Sequence, residues 1–308
     1  MENNFIIEIK NLKKYYKDVK AVDDISFGVE KGELFAFLGV NGAGKSTTIS
    51  VISGDAKKDN GKVFVSGYDI DTDLDKIKKG LGIVFQNSVL DRQLTVYDNL
   101  KNRASLYGIY GEEFDKKLQN LTEIFGLKDI LNRPLSKLSG GQKRRVDIAR
   151  AIIHSPNILF LDEPTTGLDP MTRKRVWDIV ENLRKETGIT VFLTTHYMEE
   201  AENADHVVII DQGKIIASGT PLELKNEYTR DCIVCYGVSE EQIKTLGEEY
   251  KVEQNAIKIF LDDILKAREL ILTHPEIFVD YEVIKGKMDD VFLSATGKRL
   301  EGENNAKS

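Results

Sequence analysis

The chain has 308 residues, which is enough for one large domain or two ordinary ones. Its 43 basic and 50 acidic side chains give a net charge of −7, which argues against general electrostatic binding to nucleic acid or anionic lipid. No run reaches the roughly 18 apolar residues that span a bilayer, and the N-terminus lacks the basic-then-apolar order of a secretion signal. We therefore expect a folded protein that stays in the cytoplasm.

Short apolar runs bounded by Gly, Asp or Asn predict the β-strands. In chain order these runs are 5–12, 34–38, 62–67, 81–86, 157–163, 190–196 and 206–213. Helix-length patterns lie between several of them, including 141–154 and 173–186. This alternation predicts an α/β fold, in which a mostly parallel sheet carries helices on its faces.

One interval contains no convincing strand. Between residues 87 and 138 the sequence shows only helical stretches, at 96–107 and 113–125. We interpret the region of about 88–150 as a helical subdomain inserted into the sheet-bearing core.

A second domain is predicted after Gly219-Thr220-Pro221, where Gly and Pro punctuate the chain. Strand and helix patterns follow in the order βαββαβ, which matches the split, ferredoxin-like α+β motif, with the last strand at 277–283 and a final helix at 288–299. The expected bounds are 1–220 for the first domain, 221–229 for a helical linker, 230–300 for the second domain and 301–308 for a disordered tail.

Cys232 and Cys235 are the chain's two cysteines. Their spacing permits a redox pair, while the apolar residues around them favour small side chains within a strand. No second pair exists to complete a four-cysteine zinc site.

A glycine-rich phosphate-binding loop follows the strand at 34–38 and precedes a helical run from Thr47. It fits the pattern G-x-x-x-x-G-K-[ST], and its residues are Gly39, Val40, Asn41, Gly42, Ala43, Gly44, Lys45 and Ser46. Backbone N–H groups of such a loop and the positive end of the next helix bind phosphate oxygens. We predict that these residues and Thr47 bind ATP, with Lys45 on the β and γ phosphates and Ser46 on Mg²⁺.

The strand at 157–163 ends in two adjacent acids, Asp162 and Glu163. In a nucleotide site Asp162 would hold the Mg²⁺ shell and Glu163 would orient the water that attacks the γ-phosphate. Adjacent residues of a strand point to opposite faces, so the two carboxylates are expected to face apart and to serve different roles.

Between these two motifs lies Leu138-Ser139-Gly140-Gly141-Gln142. Ser139 and the glycines would cap the helix that follows, which makes its N-terminus a second phosphate-binding surface. The three motifs in this order resemble the ATP-binding subunits of ABC transporters, over about residues 5–220. The resemblance implies a P-loop NTPase core and a head-to-tail dimer, most simply a homodimer. In that dimer Ser139, Gly140, Gly141 and Gln142 contact ATP held by the other subunit.

Other positions match the same family one by one. Tyr16 aligns with the aromatic residue that stacks on adenine, and Tyr15 is the competing candidate. Gln86 ends the strand 81–86, where the family's glutamine contacts Mg²⁺ and water. His196 ends the strand 190–196, where the family's histidine contacts the γ-phosphate. Residues 167–169 match the loop that senses the partner subunit.

The resemblance also implies a partner and a place in the cell. The chain would power a separately encoded transmembrane permease from the inner face of the membrane. Segments 165–170, 196–202 and 289–297 are similar to the branch that exports drugs, antibiotics or polysaccharides. The last of these segments has a second interpretation, as an amphipathic helix that covers the small sheet with Val291, Phe292 and Ala295.

Three further alternatives stay open on the sequence alone. The competing function is that of a soluble, non-transport ATPase of the same fold, which acts on nucleic acid or ribosomes. The sequence has one phosphate loop and shows no basic face, which favours a transporter without a nucleic-acid partner. Leu90, Leu94 and Val96 would either receive a permease helix or pack in the helical subdomain. Residues 230–300 would either bind a regulatory small molecule or stabilise a dimer.

Overall fold

The structure is a computed structural model that describes residues 5–261 and 263–297. The strands are β1 (Phe5–Tyr16), β2 (Val19–Glu30), β3 (Leu34–Leu38), β4 (Asn60–Val65), β5 (Tyr68–Asp69), β6 (Leu81–Val84), β7 (Ile158–Asp162), β8 (Thr190–Thr195), β9 (His206–Asp211), β10 (Lys214–Gly219), β11 (Asp231–Tyr236), β12 (Tyr250–Val252), β13 (Ala256–Leu261) and β14 (Tyr281–Ile284). The α-helices are α1 (Lys45–Ile52), α2 (Leu74–Lys79), α3 (Val96–Ser105), α4 (Gly111–Phe125), α5 (Gly140–Ile152), α6 (Pro170–Thr187), α7 (Met198–Ala201), α8 (Pro221–Tyr228), α9 (Glu240–Lys244), α10 (Ile264–Thr273) and α11 (Met288–Thr296). The predicted tail at 301–308 and the last residues of the predicted final helix lie outside the described residues.

The central sheet has six strands in the order β10-β9-β3-β8-β7-β6. Its last five strands are parallel to one another, and β10 pairs with β9 antiparallel. Every residue of β3, β7 and β8 is buried, as expected for inner strands of a parallel sheet with both faces covered. The carboxyl ends of these three strands therefore meet at one edge, where ligands of open α/β sheets bind.

A second, fully antiparallel sheet lies beside the central one, in the order β2-β1-β4-β5. The runs 5–12 and 62–67 were expected in the parallel sheet and belong here instead. Strand β2 went unpredicted because only three of its twelve residues are buried, so the sequence shows little alternation. Phe27 of β2 packs against Phe35 and Phe192, with ring centroids 5.3 and 6.2 Å away, which joins the two sheets.

The helical insertion packs through α3 and α4 against α5. Thr95 begins α3 with a capping box, since its hydroxyl and the Asp98 carboxylate satisfy each other's backbone N–H groups. Leu90 is 7% exposed and Val96 is fully buried, both within the core that this insertion shares with the central sheet. The interpretation of these two residues as a permease groove is therefore wrong, and Leu94 is half-buried.

Residues 231–284 form a small four-stranded sheet in the order β12-β13-β11-β14, with every pair antiparallel. Helices α9 and α10 contribute Ile243, Ala267 and Leu270 to the core on one face. The last strand is Tyr281–Ile284 and starts later than the predicted residue 277. Ile277 and Phe278, the apolar residues at the start of the predicted strand, lie before β14 and pack into this core from there.

The final helix α11 packs against α7 of the first domain and against α8, which occupies the predicted linker. Met288, Val291 and Phe292 are at most 1% exposed and belong to the core of the central sheet and helical insertion. The expected amphipathic face exists, but the apolar surface that it meets includes Leu224 of α8 rather than the core of the small sheet. No described helix is long and apolar enough to cross a membrane.

The two cysteines lie three positions apart on β11, so their side chains point to opposite faces of the strand. Both are buried and free, and burial raises the pKa of Cys235 to about 11. A redox pair is therefore the wrong interpretation of their spacing.

Candidate nucleotide site

The glycine loop connects β3 to α1 at the carboxyl edge of the central sheet. Gly44 precedes the helix with a φ of 115°, and a Cβ there would lie 2.3 Å from the carbonyl oxygen of Ala21. A Cβ on Gly39 would lie 2.5 Å from the Ile210 carbonyl oxygen. Only glycine fits these two places, which lets the loop turn closely before the helix N-terminus.

Lys45 lies folded back inside this loop and is 4% exposed. Its ammonium group donates hydrogen bonds to the carbonyl oxygens of Gly39 and Val40, at 2.7 and 3.1 Å. The same nitrogen lies 3.5 Å from Oε1 of Glu163. Burial lowers the pKa of Lys45, and the carboxylates of Glu163 and Asp162 oppose that change.

Asp162, at the end of β7, lies next to the first turn of α1. The Ser46 hydroxyl is 3.3 Å from Oδ1 of Asp162, and Thr194 of β8 donates its hydroxyl to the same oxygen. A hydroxyl and a carboxylate are hard oxygen ligands of the kind that Mg²⁺ prefers. Among the described residues no group of three or more His, Cys, Asp or Glu could hold a metal, so a Mg²⁺ ion here would also need oxygens from phosphate and water.

Glu163 does not continue strand β7, because its φ of 44° is in the left-handed region. The turn departs from the regular strand geometry behind the expectation that the two acids face apart, and the Thr194 hydroxyl lies within hydrogen-bond distance of both residues. The separate roles of the two carboxylates stay a prediction. Gln86 donates its side-chain amide to Oε2 of Glu163 at 3.0 Å, and the Thr166 hydroxyl lies 3.3 Å from the same oxygen. Left-handed backbone in a non-glycine residue costs free energy and is concentrated at functional sites.

His196 lies on the other side of this carboxylate, with its Nδ1 3.4 Å from Oε1 of Glu163. The imidazole of His196, followed by the ammonium of Lys45, lowers the pKa of Glu163 to about 2 despite its burial. The carboxylate is therefore ionised across the neutral pH range. A phosphate that drew Lys45 and His196 away would raise the proton affinity of Glu163.

The two tyrosines that compete for the adenine position differ in their contacts. The Tyr15 hydroxyl donates to Asp23 at 2.6 Å, which raises the pKa of Tyr15 to about 12. Tyr16 is 48% exposed, and Lys14 holds its ammonium 4.9 Å from the centre of the Tyr16 ring. Tyr16 is thus the more exposed of the two rings, as stacking on adenine would require.

The segment 138–142 begins a different surface of the molecule. Ser139 caps α5 in a capping box with Gln142, each side chain accepting from the other's backbone N–H. No described hydrogen bond or ion pair joins these residues to the cluster around Lys45 and Glu163. The nearest neighbours of a Cβ placed on Gly140 and Gly141 are Leu168 and Thr172, around the start of α6.

The structure therefore brings six of the predicted residues into one cluster. They are Lys45, Ser46, Gln86, Asp162, Glu163 and His196. Sequence reasoning missed Thr194 and Thr166, which bond to the two carboxylates. The pair Thr194-Thr195 directly before His196 was the available signal, since hydroxyl residues at a buried strand end need polar partners. The cluster places a lysine, a histidine and an ionised carboxylate around the place where a glycine loop would hold phosphate.

Residues 22–166 match the family model described as ABC transporter. The chain is 36% identical to the linearmycin resistance ATP-binding protein LnrL of Bacillus subtilis (strain 168), across 96% of this chain and 99% of that protein. It is also 36% identical to the daunorubicin/doxorubicin resistance ATP-binding protein DrrA of Streptomyces peucetius, across 94% and 92% of the two chains.

Two solved structures share the fold. One is cbiO1 from Clostridium perfringens, described as part of an ABC transporter complex, with 31% identity and a TM-score of 0.66 over 72% of this chain and 91% of that one. The other is a dimeric ATP-binding cassette in a post-hydrolysis state with ADP and Pi, with 28% identity and a TM-score of 0.63 over 70% and 98%.

Proposed function

We propose a transport function for this chain, which belongs to the family of ABC transporter ATP-binding proteins. In this proposal the chain hydrolyses ATP to power export through a separate membrane permease. The exported compound is a drug, an antibiotic or another hydrophobic or polymeric compound. The similarity to two antibiotic-resistance ATP-binding proteins along more than nine-tenths of the chain carries this proposal. It favours transport over a non-transport ATPase that acts on nucleic acid or ribosomes.

In this proposal the glycine loop and the N-terminus of α1 hold the phosphates of ATP. Lys45 leaves the carbonyl oxygens of Gly39 and Val40 and pairs with the β and γ phosphates, where the negative charge is greater. Tyr16 stacks on adenine. Ser46, Asp162 and Gln86 would hold Mg²⁺, which supplies neutralisation of charge on the transferred phosphoryl group.

Glu163 orients a water molecule for attack on the γ-phosphorus. As the new bond between water oxygen and phosphorus forms, the bond from phosphorus to the oxygen bridging the β and γ phosphates breaks, and a proton of the water passes to the carboxylate or to phosphate. His196 donates a hydrogen bond to the γ-phosphate. Gln86, already within hydrogen-bond distance of Glu163, holds the carboxylate and the water in line.

The segment 138–142 completes a site in the partner subunit, in our proposal. The N-terminus of α5, which Ser139 caps, faces ATP held by the glycine loop of a second copy of the chain, so two composite sites form in a head-to-tail homodimer. The permease would bind the exposed segment after β6, where Phe85 and Val89 are 37% and 55% exposed on either side of Gln86. Binding there would connect the permease directly to the proposed hydrolytic site.

The proposal is tested with Glu163→Gln in the purified chain. We expect ATP affinity to stay within about threefold of the wild type and turnover to fall roughly 10²- to 10⁴-fold, because the variant keeps the shape and loses the charged water partner. Saturating Mg-ATP should convert the variant to a dimer in light scattering. Glu186→Gln, the same exchange at an exposed position near the end of α6, should turn over ATP normally.

Transport is tested separately, with the chain and its permease in vesicles or in a drug-sensitive host. The wild type should raise resistance and Glu163→Gln should not. A Glu163→Gln variant with normal turnover would overturn the role of this residue, and ATP hydrolysis without any permease-dependent export would favour the non-transport ATPase.

A further inference from the structure

Arg144 is a buried charge that the proposed chemistry does not use. It lies on α5 and is 6% exposed. Its guanidinium donates to three backbone carbonyl oxygens: Nη1 to Phe85 at 2.6 Å, Nη2 to Asp162 at 3.2 Å, and Nε to Pro164. One side chain of α5 thus joins the ends of two neighbouring strands, β6 and β7.

The three carbonyl groups have special positions along the chain. Phe85 directly precedes Gln86, and Asp162 and Pro164 flank Glu163 on both sides. Glu163 has the left-handed backbone that non-glycine residues rarely adopt. The two hydrogen bonds to its neighbours hold this turn, so the direction of the Glu163 carboxylate depends on where Arg144 lies.

Arginine is suited to this arrangement because its planar guanidinium presents five N–H groups in a fixed geometry. A lysine ammonium at the same position is a single nitrogen and cannot reach three diverging carbonyl oxygens at once. Burial lowers the pKa of Arg144 to about 10, with Asp147 and Asp162 opposing the change, so the group is charged at neutral pH. Arg150, further along α5, donates to the carbonyl oxygen of Ile83 at 2.8 Å and fixes the same helix to β6.

The adjacent residue supplies a natural comparison. Arg145 also donates to backbone carbonyl oxygens, those of Phe125 and Gly126 at 2.7 and 3.2 Å. These carbonyl groups end α4 inside the helical insertion, away from the carboxylate cluster. Arg144 and Arg145 are therefore alike in chemistry and adjacent on the helix. They differ in their partners, since Arg144 binds carbonyl groups beside Gln86 and Glu163, whereas Arg145 binds carbonyl groups at the end of α4.

We propose that Arg144 is a positioning residue, which ties the helix that begins at Ser139 to Glu163 and Gln86 of the same subunit. Movement of that helix on the partner's ATP then changes the alignment of this subunit's own hydrolytic groups. The inference rests on the proposed ATPase function and adds to it a physical link between the two composite sites.

The test compares Arg144→Lys with Arg145→Lys in the full-length chain. The measured quantity is the single-turnover rate constant for hydrolysis of bound ATP, which does not depend on the fraction of folded protein. We expect a fall of about 10- to 100-fold for Arg144→Lys, the size of effect that a misplaced catalytic group produces, and a change below about twofold for Arg145→Lys. ATP affinity should stay within about twofold in both, since neither arginine contacts the glycine loop. If Arg144→Lys fails to fold, Arg144→Gln replaces it.

A double-mutant cycle separates positioning from general loss of packing. In the Glu163→Gln background the added Arg144→Lys exchange should change the residual rate less than about threefold, because the Glu163 carboxylate, the main group whose alignment depends on Arg144, is already gone. A wild-type rate in Arg144→Lys, an equal fall in both backgrounds, or an equal fall in Arg145→Lys would each overturn the inference. A wild-type chain that does not hydrolyse ATP would overturn the proposed function, and this inference with it.

Discussion

The region that holds the central sheet and the helical insertion, called the first region below, buries polar and charged side chains as well as an apolar core. The core of the small C-terminal sheet is apolar. All side chains that are both buried and polar or charged, among the described residues, lie between positions 45 and 200. They are Lys45, Thr48, Ser53, Asn99, Arg144, Asp147, Arg150, Asp162, Glu163, Thr165, Thr190, Thr194, Thr195 and Glu200. The core of the small sheet is built instead from residues such as Ile233, Cys235 and Ile259.

The difference indicates where the fold keeps buried charges that lower its stability, and where we therefore expect chemistry. Burying a charge costs free energy unless hydrogen bonds and opposite charges compensate it, so charges are kept inside a protein where they are used. In the first region the buried charges of Lys45 and Glu163 lie 3.5 Å apart at the place where phosphate would bind. The small sheet can be understood from apolar packing alone, and a regulatory small-molecule site within it stays a prediction.

The sharpest way to test the boundary between the two regions is Phe292→Ala. Phe292 lies near the end of the described chain, yet it packs in the core of the first region, so its truncation should cost about 3–5 kcal/mol of the free energy of unfolding there. Trp177, the single tryptophan, lies on α6 and reports unfolding of that region by fluorescence. Leu293→Ala, at a 39% exposed neighbour, is the control. An unchanged midpoint in Phe292→Ala would place α11 energetically with the small sheet.

A second variant, Lys45→Ala, tests whether the buried charges of the first region serve binding. Loss of charged hydrogen bonds to the phosphates should weaken ATP binding by about 3 kcal/mol, or about 100-fold. Equilibrium titration with a fluorescent ATP analogue measures this. Lys79→Ala, which removes an exposed ammonium on α2, should bind ATP normally. Equal ATP affinity in Lys45→Ala and the wild type would contradict the inference that the buried charge of Lys45 serves ATP binding.

The imidazole of His154 is a buried titratable group in the first region, outside the candidate nucleotide site. Burial, followed by the charge of Arg103, lowers the pKa of His154 from 6.5 to about 4. Between pH 6.5 and about 4 the native ring is therefore neutral, while the same ring in the unfolded chain takes up a proton. The contribution of the neutral ring to the free energy of unfolding is present above pH 6.5 and is lost as the pH falls through that window. His154→Gln should reduce the slope of unfolding free energy against pH by at most about 1.4 kcal/mol per unit there.

Denaturant titrations of His154→Gln and the wild type at intervals between pH 7 and pH 4 measure that slope. Above pH 7 the difference between the two proteins should be constant, which provides the internal control. Parallel stability curves throughout the acid range would contradict the assignment of His154 as a buried neutral ring.

The smallest expected effect is that of Ile259→Val in the small sheet. Removing one methylene from this fully buried side chain should cost about 0.5–1.5 kcal/mol of stability and leave turnover of ATP unchanged. Far-ultraviolet circular dichroism follows the unfolding, and steady-state phosphate release follows turnover. A reduced turnover at normal stability would mean that the small sheet communicates with the nucleotide site.

Much of the first region followed from local patterns. The glycine loop, the acid pair and the segment 138–142 occur in a fixed order with the strand and helix contexts that they require, so the α/β fold and the candidate site residues could be predicted from the sequence. The small domain's order of strands and helices was also visible as alternating and helical periodicity. These signals are short-range, because side-chain direction repeats every two residues in a strand and every 3.6 in a helix.

The remaining features depend on contacts between distant parts of the chain, which such periodicity does not contain. Strands β1 and β4 were visible as strands, but only pairing with β2 placed them in a separate sheet. The apolar face of α11 was predicted, whereas its partner, the surface around α8, was decided by packing. The left-handed turn at Glu163 and the three carbonyl groups held by Arg144 arise where strand ends and a helix meet. The sequence by itself therefore determined which residues are candidates for the chemistry. The tertiary structure decided how those side chains are oriented, since hydrogen bonds between distant parts of the chain set the direction of each group.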